Sequence, residues 1–172
     1  INLSPSFLMK FIYNTKKLYL NTLIIFFVFV LDRISKIYIL YLTKNNFGIE
    51  IFSSKYLNIF PIWNKGISFG LLSIEKINLY NLLTFLIGIV IFLLTNIAIK
   101  NEGIKRYCIL LIIGGALGNL YDRIMYKGVI DFIDFHVGNF HWFIFNVSDI
   151  FITVGVIGMI WLELTTKRTT AK

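Results

Sequence analysis

INLYNLLTFLIGIVIFLLTNIAI, residues 77–99, is a run of 23 residues without a charge. About 20 apolar residues suffice to carry a helix across the hydrocarbon core of a bilayer. This stretch therefore predicts a membrane span and sets the class of the whole chain. The composition around it agrees. Of 172 residues, 57% are hydrophobic and 15% charged, whereas an ordinary soluble domain has about 45–50% and ~25%. That much apolar surface exceeds what one small core can hide. Low charge with high hydrophobicity also excludes a disordered chain. The single cysteine, Cys108, excludes an intramolecular disulfide and any multi-cysteine metal site. The net charge of +8 reads as attraction to anionic head groups and as topology control, not as nucleic-acid binding.

Three weaker apolar segments flank the central one. Leu18–Leu31 is interrupted by Asp32, Arg33 and Lys36 before Ile37–Leu42 resumes, Tyr107–Tyr121 ends at Asp122-Arg123, and Trp142–Leu162 carries Asp149. Together they predict an all-α integral membrane protein with four transmembrane helices, near 18–38, 77–99, 106–124 and 142–164, in a single domain spanning 1–172. Nine Lys and Arg lie in the two tails and the link after the second helix, against five in the other two links. The positive-inside rule then puts both termini in the cytoplasm and the long first link, 40–76, outside. Alternation, Pro61 and several glycines between Phe47 and Ser73 predict short strands and turns on the membrane surface. Met9-Lys10 reads as the more natural start, with residues 1–8 an upstream extension and no cleaved signal peptide.

Ionisable groups at membrane depth are the informative ones, because each costs about 2.5–3.5 kcal/mol at the centre of a spanning helix. Asp32, Arg33 and Lys36 on the first helix, Asp122 and Arg123 ending the third, and Asp149 on the fourth all fall toward the outer face, with Asp131 and Asp134 in the link between. For Arg33 and Lys127, snorkelling or local pairing is the plain reading. Asp149 resists it, since its side chain is short. Asp134, His136 and His141 read as solvated link residues. No HExxH-like ligand spacing occurs, so neither a metal nor a cofactor is expected. Cys108 reads as an inert filler, and no GxSxG supports a serine mechanism. What remains is a pair of carboxylates sharing one proton, one member taking a proton from water while the other polarises a carbonyl. Asp131, Asp122 and Asp134 all remain open as the partner of Asp149 at this point.

Five blocks together resemble one family. GGALGNLYDR (114–123), VIDFIDF (129–135) and HWFIFNVSD (141–149) are similar to the signature blocks of the lipoprotein signal peptidases, also called signal peptidase II. LDRISK (31–36) resembles its first-helix element, and NKGISFGLL (64–72) its Asn-x-Gly-x-x-Phe segment. The resemblance implies a monomeric aspartic endopeptidase of the bacterial inner membrane, working at the extracytoplasmic face. It would cut prolipoproteins just before a cysteine that already carries a diacylglyceryl group. It implies Asp131 and Asp149 as the catalytic dyad. Asn64, Gly66, Asn119, Asp122, Arg123 and Asn146 would line the site, and Asp32 and Lys36 would support it. The stretch from Phe47 to Ser73 within the link 40–76 would supply a small β-like cradle and a cover. Departures fall at Ser148, Ile67-Ser68 and Phe143, none of them on the dyad.

Three rival readings remain. A transporter or channel subunit with proton-relaying aspartates needs no Asn and Arg set at one rim. A presenilin-type protease needs a Gly-x-Gly-Asp element, which the sequence lacks. An assembly factor with buried ion pairs predicts that Asp131→Asn and Asp149→Asn only lower abundance.

Overall fold

The computed structural model describes residues 5–44, 49–66 and 77–170, with side chains described over 13–44, 49–66 and 80–165. Ile67-Ser68, Phe69 and the rest of the expected cover beyond Gly66 lie outside the described residues. The described residues form four helices and four short strands in the order α1 (Pro5–Leu42), β1 (Phe52–Ser53), β2 (Leu57–Asn64), α2 (Ile77–Lys100), α3 (Gly103–Tyr126), β3 (Val129–Val137), β4 (Phe140–Phe145) and α4 (Val147–Thr170).

Among the described residues, three helices are long and apolar enough to cross a membrane, over Tyr80–Lys100, Gly103–Tyr126 and Val147–Thr165. α1 has the length, at 1.5 Å per residue, but carries Asp32, Arg33 and Lys36 within its apolar stretch. Those charges do not face outward, because Asp32 and Lys36 are buried against α3. The outer faces carry the apolar residues instead, with Phe26, Phe27, Phe85, Phe92, Ile157 and Trp161 all exposed. Water does not tolerate so large an apolar patch on a monomer. A bilayer solvates it.

α3 is the centre of the bundle, packed on α1, α2 and α4. Small residues let the backbones approach. A Cβ added at Gly115 would sit 2.5 Å from the Ser148 carbonyl oxygen, and one at Gly118 would collide with Ser148 Oγ and Asp32. Association of helices in lipid depends on such close packing rather than on a hydrophobic drive. Gly115→Ala is therefore expected to destabilise the fold by about 1–3 kcal/mol through overpacking. Gly88→Ala is the control, since a Cβ there meets nothing within 4 Å among the described residues. Thermal unfolding in detergent reads the difference, and equal midpoints for the two variants would contradict this account of α3–α4 packing.

The strands form one antiparallel sheet in the order β1-β2-β3-β4. The bulge between Ile59 and Ile62 in β2 coincides with Pro61, which has no N–H to give to β3. Gly138 takes φ 59° in the two-residue turn that joins β3 to β4. The sheet caps the end of the bundle where α1 and α3 finish and α2 and α4 begin. At the opposite end, Lys17 of α1 pairs with Glu102 in the α2–α3 link at 3.1 Å.

Two sequence expectations are corrected. The chain is not all-α, because half of the sheet comes from the α3–α4 link, so the cradle is built by both links and not only by 40–76. The fourth helix begins at Val147, not near 142. Phe140–Phe145 is instead held in β4 by pairing with β3, through Ile133↔Phe145 and Asp134↔Ile144. α2 matches its expected bounds within one residue, while α1 and α3 run longer than expected.

Candidate active site

Asp149 is placed by the start of α4. Asn146 is the residue before the first helical position, and its Oδ1 accepts from the Asp149 N–H at 3.1 Å. Asp149 Oδ2 in return accepts from the Asn146 N–H at 3.1 Å. This reciprocal cap satisfies two helix-end donors and fixes the aspartate rotamer. The positive end of the helix dipole also favours a carboxylate here. The sequence signal was present as Asn146-Val-Ser-Asp149, a cap residue followed three positions later by an acid.

Asp131 arrives from β3, whose first residues Val129–Phe132 are all buried. Both of its oxygens accept from amides, Oδ2 from Asn64 Nδ2 at 2.9 Å and Oδ1 from Asn146 Nδ2 at 2.6 Å. Asn146 thus touches both carboxylates and is itself wholly buried. Burial and the Asp149 charge push the Asp131 carboxyl up to about 7. The Asn64 and Asn146 donors and the Lys36 charge oppose that shift.

A third amide, Asn119 on α3, donates to Asp149 Oδ1 at 2.8 Å. Its own oxygen accepts from Lys36 Nζ at 3.0 Å and from Asn146 Nδ2 at 3.2 Å. Lys36 also lies 2.9 Å from Asp32 Oδ2 and 2.8 Å from Asp122 Oδ2. Arg33 pairs with the same two acids. Two cations therefore balance two anions beneath the Asp131–Asp149 pair, and Lys36 links that neutral cluster to it. Asp32 Oδ1 further accepts from the Ser148 N–H at 3.1 Å, tying α1 to the first turn of α4.

Arg123, half-buried, reaches the Gly66 carbonyl oxygen through Nη2 and the Asn119 carbonyl oxygen through Nη1, each at 3.4 Å. The Gly66 N–H in turn donates to Asn64 Oδ1 at 3.0 Å. Every sequence-predicted site residue is brought to one end of the bundle. Asp131, Asp149, Asn64, Asn119 and Asn146 form one hydrogen-bonded set, with Arg123 and Gly66 at its side and Asp32, Lys36 and Asp122 behind it. Asp122 is occupied by two cations, and Asp134 sits farther along β3 with His141 and Asn58 as partners. Asp134 is a correction, being buried rather than solvated, because β4 and β2 close over it on either side. The His136 side chain is only 10% exposed for the same reason, whereas His141 is half-exposed.

Comparison with known proteins gives a consistent result. Residues 24–165 match the family model described as signal peptidase (SPase) II. A lipoprotein signal peptidase of Pelagibacter ubique is 52% identical, over 88% of this chain and 91% of that protein. Another, of Anaplasma phagocytophilum, is 41% identical over 87% and 94%. A solved bacterial membrane enzyme superposes with a TM-score of 0.71 at 32% identity, covering 88% of this chain and 91% of its own. The apolar helices and that likeness together make this a bacterial membrane protein. The chain belongs to the signal peptidase II family, the lipoprotein signal peptidases.

Proposed function

We propose that this chain is an aspartic endopeptidase in which Asp131 and Asp149 activate water. Its substrate is a prolipoprotein whose cysteine carries a diacylglyceryl group, cut on the amino-terminal side of that cysteine. The observation that carries this reading is the pairing of two carboxylates through one buried amide, Asn146. The names of the relatives supply the substrate class.

Two close carboxylates in a poorly hydrated site hold one proton between them near neutral pH, and that proton belongs to the pair. The ionised member takes a proton from water as its oxygen attacks the scissile carbonyl. The protonated member donates to the developing oxyanion, and a proton then passes to the leaving amine as the C–N bond breaks. Arg123 and Asn64 stand where they can hold the substrate backbone or the oxyanion. The acyl chains of the substrate remain in the bilayer and orient its peptide bond. In the cell this reading places four spans in the membrane, both termini in the cytoplasm and the sheet outside, in a monomer of one domain.

The proton shared by the pair sets the pH dependence. A pair that needs one proton loses activity when that proton leaves, so kcat/KM for a diacylglyceryl prolipoprotein is expected to fall above about pH 7. Stability has the same sign. The folded carboxyl titrates near 7 against an ordinary value of 3.8. Folding therefore favours the protonated form, and that contribution, complete below about 3.8, is lost as pH rises through about 7. A cleavage profile from pH 5 to 9 with purified protein tests the reading. A rate flat or rising across neutral pH would overturn it.

A further inference from the structure

A second cluster lies on the same sheet, away from the Asp131–Asp149 pair. His136 of β3 and His141 of β4 are cross-strand partners. Their rings stack at 5.0 Å between centroids. Asp134, two residues before His136, lies on the same face of β3, and the register shift between them, an extra residue in β4, sets His141 opposite His136. His141 Nδ1 lies 2.9 Å from Asp134 Oδ2, and His136 Nδ1 lies 3.8 Å from the same oxygen. One donor atom from each of the three falls within 4.8 Å of the others.

Two further observations point to a cation there. His136 Nδ1 is buried and has no hydrogen-bond partner among the described residues, on a side chain only 10% exposed that faces the carboxylate. Asp134 is itself 1% exposed, and the partners found for it are the Asn58 amide and the two imidazoles. Asp32 and Asp122, equally buried, each have Lys36 and Arg33 beside them. A buried carboxylate without a fixed cation is costly.

We propose that Asp134, His136 and His141 form a binding site for a divalent transition metal ion of the zinc class. Two imidazole nitrogens and one carboxylate oxygen suit Zn²⁺, with water in the fourth position. Magnesium and calcium prefer all-oxygen sets. Ligands at about 2.0–2.2 Å in a tetrahedron lie about 3.4 Å apart, and the two Asp–His separations of 2.9 and 3.8 Å bracket that value. Asn58 Nδ2, which donates to Asp134 Oδ2 at 3.2 Å, would orient the carboxylate from behind. Half-exposed His141 leaves the ion a way in from solvent. The ion would clamp β3 to β4 only three residues from Asp131, holding the sheet and not taking part in cleavage. The proposal stands independently of the peptidase reading.

The test uses the full chain in detergent, purified on a tag without histidine, stripped with EDTA and dialysed. Zinc chloride is then titrated by equilibrium dialysis, with magnesium chloride as control. Wild type is expected to bind one zinc per chain saturably and to melt at a higher temperature with it. His141→Ala and His136→Phe, the latter keeping the ring volume, are expected to weaken binding by about 10–100-fold or more. The melting point of each variant in EDTA serves as its own reference, and zinc should raise it less than it raises that of wild type. Should His136→Phe fail to fold, the half-exposed His141 position decides alone. No saturable zinc on wild type, or equal binding by wild type and His141→Ala, would overturn the proposal.

Discussion

Asp149→Asn is expected to lower kcat/KM by at least about 10²–10⁴-fold, the usual contribution of a positioned acid or base, while leaving the protein folded. The amide oxygen of asparagine can still accept from the Asn146 N–H, so the reciprocal cap that starts α4 survives. What disappears is the ability to hold or pass a proton. Asp131→Asn should be comparably inert. Its cost in stability is offset above pH 7, because the buried carboxylate that burial disfavours is gone. The measurement is the initial rate of signal-peptide release at equal amounts of folded protein, with thermal midpoints alongside. Reduced abundance with an unchanged specific rate would mean that these aspartates are structural. The two effects do not add, since the carboxylates act as one unit.

Lys36→Met is expected to cost about 3–5 kcal/mol of stability, the penalty for breaking a buried ion pair from one side. Its ammonium lies against Asp32, Asp122 and Asn119. Removing it leaves two fully buried carboxylates facing the single guanidinium of Arg33. Such a loss is a large share of the 5–15 kcal/mol by which domains are stable. Adding Asp122→Asn restores neutrality and should recover part of it, which a simple loss of packing would not. Unfolding in detergent, followed by tryptophan fluorescence, gives both values. A Lys36→Met protein within about 1 kcal/mol of wild type would show that the cluster does not hold α1 to α3.

These results bear on what the sequence can reveal. α2 is legible because an uncharged run of 23 residues has few alternatives. α1 is harder to read, since its three charges look alike whether they face lipid, water or a partner, and only packing against α3 shows them neutralised. The β3–β4 hairpin carried a local signal in Gly138-Asn139 between apolar strands, yet the apolar run Trp142–Phe145 reads equally well as the start of a helix. Of the acids, Asp149 stands out from its place in an apolar stretch. Residue types and positions leave Asp122, Asp131 and Asp134 open, the family resemblance points to Asp131, and the three-dimensional neighbours give the physical ground. Cations occupy Asp122, histidines flank Asp134, and a buried amide joins Asp131 to Asp149. The convergence of Asp134, His136 and His141 was not readable, because it depends on the register shift between Asp134 and His136.

The most direct measurement is mass spectrometry of the products formed from a diacylglyceryl-modified prolipoprotein by purified wild type and by Asp131→Asn/Asp149→Asn. The account predicts one cut by wild type, leaving the lipidated cysteine at the new amino terminus, and none by the folded double variant. No cut by folded wild type, a cut elsewhere, or the same cut at the same rate by the double variant would contradict it.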